Sequence, residues 1–210
     1  MLYYPAQSPT KITTGKCIYK MGKYQPRVVA FFLTCGFKIS IIFVVQKNQI
    51  VSFKQFLETF PEVPLPIVLA DVTHHEFCQS NEPLHQLMIE QHIGRVEGEA
   101  SDELTEYVAC FKIPETFDFH AIVYWKASLM NYQYVLATFE KTGMFIDKRV
   151  IAGTYSDGKT VTKLVATIDE DWTIYIVAGQ LEGSADVYDA SSTTSFELEL
   201  LTDGKIVNSV

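Results

Sequence analysis

The sequence predicts an α+β fold: an antiparallel β-meander of six to eight strands, strongly twisted or partly closed into a barrel, with two helices packed on it. Three observations lead there. Residues 119–153, FHAIVYWKASLMNYQYVLATFEKTGMFIDKRVIAG, hold three runs rich in β-branched and aromatic residues, separated by short breaks at Leu129-Met130-Asn131 and Glu140-Lys141-Thr142-Gly143. Breaks of that length join antiparallel neighbours, since parallel strands need a crossover of a dozen residues or more. Downstream, alternating runs continue with turn residues between them, including Asp157-Gly158 and Asp203-Gly204; Asp-Gly between such runs is a strong hairpin signal. Upstream, the period changes from two to that of a helix. A fully closed up-and-down barrel is the alternative arrangement, because closure hides strand edges.

Taken in order, residues 1–45 form a basic, apolar leading segment and residues 46–210 a single α+β domain. Residues 1–27 carry no sustained period. Residues 28–45, VVAFFLTCGFKISIIFVV, leave two readings open. As a membrane anchor or export signal they have the needed length of about 18 residues. However, Lys38 near their middle costs about 2.5–3.5 kcal/mol on insertion scales, and no small-residue cleavage site follows. As soluble structure they split at Cys35-Gly36-Phe37-Lys38 into a buried hairpin. The soluble reading, with a cytoplasmic location, is slightly favoured; membrane contact is expected only if the segment is an anchor.

From Ser52, Phe53, Phe56, Leu57 and Phe60 recur along one helical stripe, with Ser52 and Gln55 as a capping box and Pro61 as the stop. Pro61, Pro64 and Pro66 hold an extended connector into a short strand, Ile67–Val72. A second helix is expected with Asn81 as its cap, Pro83 in its first turn, and Gly94 at its end. The strands that follow are Tyr107–Ile113, His120–Ser128, Tyr132–Phe139, Met144–Gly153, Thr160–Ile168, Thr173–Gln180 and Thr194–Leu201.

Composition bounds the function. The chain of 210 residues is 48% hydrophobic and 20% charged, with a net charge of −8, so it folds and lacks the positive field that non-specific nucleic-acid binding needs. The charge is uneven: residues 1–57 carry eight Lys or Arg and no acid, while 58–210 carry nine basic residues and all 25 acids. Four scattered cysteines make no disulfide framework, and buried free thiols are expected for Cys78 and Cys110.

The sharpest motif is Gly153-Thr-Tyr-Ser-Asp-Gly158-Lys159-Thr160, a residue-for-residue match to the phosphate-loop pattern GxxxxGK[ST]. In that loop backbone N–H groups cradle phosphates, the lysine meets the β/γ oxygens and the hydroxyl holds Mg²⁺. The mechanism needs a helix beginning at the lysine. Here Val161, Thr162, Val165, Thr167 and Ile168 alternate as a strand, so the motif is expected to be a hairpin turn. Among the histidines, only His74 and Cys78 are spaced like metal ligands, and they lack two partners, so no metal or cofactor is assigned. Loop carboxylates (Glu97, Glu99, Asp102, Glu103, Glu106; Asp169, Glu170, Asp171) could serve acid–base chemistry. The remaining feature is a mixed sheet face carrying Tyr124, Tyr132, Tyr134 and Tyr175; such residues suit a ligand or partner surface. The leading expectation is therefore a non-enzymatic binding or accessory module that uses this aromatic face for a protein or small-molecule ligand. The alternatives are a nucleotide-binding enzyme acting through Gly153–Thr160 and an acid–base hydrolase using the loop carboxylates.

Overall fold

A computed structural model describes residues 28–35, 38–45, 49–98, 104–182 and 193–209. The chain divides into two compact units, residues 1–49 and residues 50–210. In the first unit, strands β1 (Val28–Cys35) and β2 (Lys38–Val45) pair antiparallel, Val28 opposite Val45 and Cys35 opposite Lys38. Residues 1–27, with their basic tail, lie outside the described residues. Among the described residues no helix is long and apolar enough to cross a membrane.

The second unit opens on α1 (Phe53–Leu57), capped as the sequence predicts: Gln55 N–H donates to the Ser52 hydroxyl and Ser52 N–H to the Gln55 side-chain oxygen Oε1. A short strand β3 (Ile67–Leu69) and a 3₁₀ turn (Asp71–Thr73) lead into α2 (His74–Ser80). A longer helix, α3, covers residues 86–97, with π-helical turns over Ile89–Ile93, and gives way to Gly98. Then come β4 (Glu106–Lys112), β5 (Phe119–Ser128), β6 (Asn131–Glu140), β7 (Phe145–Ser156), β8 (Thr160–Ile168), β9 (Thr173–Glu182), β10 (Thr194–Leu200) and β11 (Ile206–Asn208). These eight pair in meander order, and β3 joins β8 to make a sheet of nine.

Five expectations need correction. The sheet does not close: its pairing path runs from β4 to β11, and neither end strand pairs with the other. There is one strand more than expected, β11, whose three residues are too short to show a period. Asn81 does not begin a helix; it ends α2, a helix that an almost wholly polar stretch had hidden. Its amide instead donates to the carbonyls of Ala109 and Cys110 at 2.6 and 3.0 Å, where a bulge interrupts the β4–β5 ladder. Gly94 sits inside α3, and His85 caps that helix by accepting from Leu87 N–H. Cys110 is buried as expected, whereas Cys78 is exposed.

The core has two parts. On one face of β4–β6, Phe56 and Phe60 from the α1 region join Leu84 and the α3 side chains Ile89, Ile93 and Val96 over Ile122, Tyr124, Val135 and Phe139. Each fully buried aromatic of this kind contributes about 1.5–3 kcal/mol. The opposite face, with Val123, Trp125, Tyr134 and Leu136, shares a second core with Ala166, Ile168, Ile174, Ile176, Leu198 and Leu200. So β4–β6 are buried on both faces. The strands β8–β10 bury one face and expose the other.

The two halves meet at β7. Only its residues 153–156 pair with β8; nearer its start β7 leaves, and β3 pairs with Ala166–Ile168 instead.

Candidate functional site

The exposed face of β8–β10 is built by alternation. On β9, Ile174 and Ile176 point into the core, which sends Tyr175 and Val177 outward. Register then places neighbours beside them: Val165 opposite Val177, Thr167 opposite Tyr175, Val68 of β3 beyond Thr167, and Glu197 of β10 on Tyr175's other side. Val68, Val165, Tyr175 and Val177 are 52%, 39%, 46% and 45% exposed, so four apolar side chains form one contiguous bare patch. Its rim is acidic. Glu197 and Glu199 stand on β10 and Asp169, Glu170 and Asp171 in the β8–β9 turn, while Lys163 on β8 is paired with Asp71 at 3.3 Å. The negative field is visible at Tyr175: Glu197 first, then slight desolvation, Asp171 and Asp169 push its phenol above its ordinary pKa.

The four tyrosines of the predicted aromatic face do not share one face. Tyr124 is fully buried beneath the helices and donates its hydroxyl proton to Glu97. Burial, then that carboxylate, raises its pKa. Tyr134 is buried on the other side of the strands, its hydroxyl bonded to that of Thr73 at 2.9 Å, and burial pushes its pKa up as well. Tyr132 lies on Tyr134's side, half-exposed, stacked on Trp125 with ring centres 6.0 Å apart; His74 stacks on that same tryptophan at 5.0 Å. Only Tyr175 stands on the open patch.

Gly153, Gly158, Lys159 and Thr160 lie at the β7–β8 hairpin. Gly153 is a strand residue paired with both Gln133 and Leu164, and Gly158 is at the turn. The backbone N–H groups of Lys159 and Thr160 both donate to the Asp157 carboxylate at 2.8 Å, holding it below the usual carboxylate range. The donors a phosphate would need are thus engaged, and a strand rather than a helix follows.

Of the carboxylates, Glu99, Asp102 and Glu103 lie outside the described residues. Glu97 is a part-buried junction: it accepts from Tyr124 and from Lys126 at 2.5 Å, with Lys148 at 3.6 Å. Burial alone would raise its pKa, but the hydrogen bonds from Lys126 and Tyr124 and the charges of Lys126 and Lys148 outweigh that and lower it. Glu106 is exposed at the start of β4. Asp171 caps its own turn, accepting from Thr173 N–H at 3.0 Å. Among the described residues no group of three His, Cys, Asp or Glu side chains is placed to hold a metal ion.

Val68, Val165 and Val177 are the patch residues that tyrosine counting passed over. Their signal was their odd place in clean alternation, a valine where a charged residue usually faces water. No family model, curated protein or solved structure matches the chain.

Proposed function

We propose that this chain is a non-enzymatic binding module that docks a basic, apolar protein segment on the exposed face of β8–β10. One observation carries the reading: Val68, Val165, Tyr175 and Val177 form an apolar patch across the paired strands β3, β8 and β9. Soluble proteins rarely leave such a patch bare unless something binds it. Its acidic rim sets the sign of the partner, because complementary charge steers encounter and suppresses wrong partners. The other polar clusters already have structural work. Glu97 clamps α3 to the sheet, while Asp157 and Asp171 close turns.

The test titrates the full chain with two synthetic peptides, one alternating lysine and valine and one alternating glutamate and valine. The lysine peptide should bind, salt should weaken it, and Val177→Lys should weaken it about tenfold or more, the scale of one buried anchor plus a like charge. Equal binding of the two peptides, or indifference to Val177→Lys, would overturn the reading. Self-association abolished by Val177→Lys, with no peptide bound, would put a second copy on the face instead.

A further inference from the structure

The second unit carries a cleft that shares no residue with the docking face and is lined by both lysines and glutamates. It lies where α1 ends, β4 runs out and β5 begins. Its volume is about 350 Å³, at the small end of ligand pockets. One wall is apolar: Leu57, Ile113, Pro114 and Phe117. Phe117 is 81% exposed, an aromatic ring held at the lip with nothing to cover it.

The polar side of the cleft is built around Lys141. Its ammonium donates to the carbonyls of Thr116 and Phe119 at 2.8 and 2.7 Å, so the head is fixed in place by the loop it borders. An ammonium has three protons to donate, and two are placed. No carboxylate pairs with Lys141 among the described residues. Beside it stands His120, whose ring rests near Phe53 and has no hydrogen-bond partner among the described residues. Lys112 closes the far side, paired with Glu62 at 3.1 Å; Glu115 is exposed at the rim. Desolvation first, then the charges of Lys141 and Lys112, hold the His120 imidazole below its ordinary pKa.

We infer that this cleft binds a small organic carboxylate: the third Lys141 proton and the His120 ring take the carboxylate oxygens, and Phe117, Pro114 and Leu57 cover an apolar body. The inference is independent of the docking face and survives its failure. A fixed cation with one free donor suits an anion, since charge-assisted bonds are about twice as strong as neutral ones. The uncovered phenylalanine suits a ligand with a non-polar part more than a bare inorganic ion.

The probes are benzoate, its neutral analogue benzamide, and inorganic phosphate, added to the full chain while the ring resonances of His120 are followed by NMR. Benzoate should shift them saturably and raise the pH midpoint of His120, because a bound anion offsets the lysine field. Benzamide should do neither. Lys141→Met should weaken benzoate about tenfold, and Phe117→Ser should weaken benzoate while leaving phosphate unchanged. Lys141 also ties down a loop, so the wild-type comparison of benzoate with benzamide stands on its own. Absence of a saturable shift, equal effects of benzoate and benzamide, or phosphate binding as tightly as benzoate would each overturn the inference.

Discussion

Replacing Gly153 by alanine tests whether the Gly153–Thr160 segment is a strand and hairpin or a ligand loop. Gly153 has φ +137°, and a Cβ there would come to 2.1 Å from the Tyr132 carbonyl oxygen and 2.8 Å from Gln133 Cα. Both atoms are backbone of β6, so no rotamer change relieves the clash; β6 or β7 must shift. Backbone strain costs about 1–3 kcal/mol and overpacking about 1–3 more, giving a loss of roughly 4 kcal/mol. That is a large part of the 5–15 kcal/mol that stabilises a typical domain. Gly158 differs. Its φ is +87°, and a Cβ would meet nothing within 4 Å, so Gly158→Ala carries only the cost of a left-handed alanine, about 1–2 kcal/mol. Urea unfolding followed by circular dichroism separates the two. With a slope of about 2 kcal/mol per molar urea, Gly153→Ala moves the midpoint down by about 2 M and Gly158→Ala by less than about 1 M. Equal shifts, or a Gly153→Ala protein as stable as wild type, would refute the packing argument.

Three further outcomes are expected. Lys159→Ala changes stability by only a few tenths of a kcal/mol, as for other exposed turn residues, and magnesium ATP leaves the melting temperature of the wild type unmoved; a shift that Lys159→Ala removes would restore the phosphate-loop reading. Glu97 is held ionised by its partners, so its contribution is present above the ordinary glutamate pKa of about 4.3 and is lost as pH falls through its lower folded value. Stability should therefore drop as pH falls below that ordinary value. Glu97→Gln should flatten this part of the curve and cost about 2 kcal/mol at neutral pH, less than a wholly buried pair because Lys126 and Lys148 keep some solvent; an unchanged acid limb counts against the junction. Residues 50–210 expressed alone should be soluble without detergent and unfold in one cooperative step, and aggregation of that fragment would show that residues 1–49 complete its fold.

The meander was legible because its information is local. β8 begins and ends where alternation places it, and the Ser52–Gln55 box forms as written. What failed was parity across a turn. A three-residue break at Leu129-Met130-Asn131 would put Tyr124, Tyr132 and Tyr134 on one face. The actual loop is two residues, Leu129-Met130, with Ser128 opposite Asn131, so Tyr124 falls opposite Val135 and the other two tyrosines turn away. One residue of loop length reverses every side chain beyond it. The loop hid its length because Met130, not a glycine or asparagine, adopts the positive φ of +58°. Helix α2 escaped because its sequence is almost wholly polar: it packs through Phe77 against the core and through the stacking of His74 on Trp125, which no apolar period announces. The exposed apolar patch was visible in part through Tyr175, while the cleft was invisible, since Leu57, Lys112, His120 and Lys141 meet only through the fold.

The pairing of β3 with β8 has a consequence for how the chain is made. Ile67 pairs with Ile168, and Leu69 with Ala166, so a three-residue strand must wait for a partner roughly 100 residues later, a closure that slows folding. On a ribosome adding about 5–20 residues per second, that wait is about 5–20 s. During it Leu69, which ends wholly buried, has no native strand to join. The connector between α1 and α2 therefore stays unsecured until β8 is made, although it is among the first parts of the second unit to be synthesised.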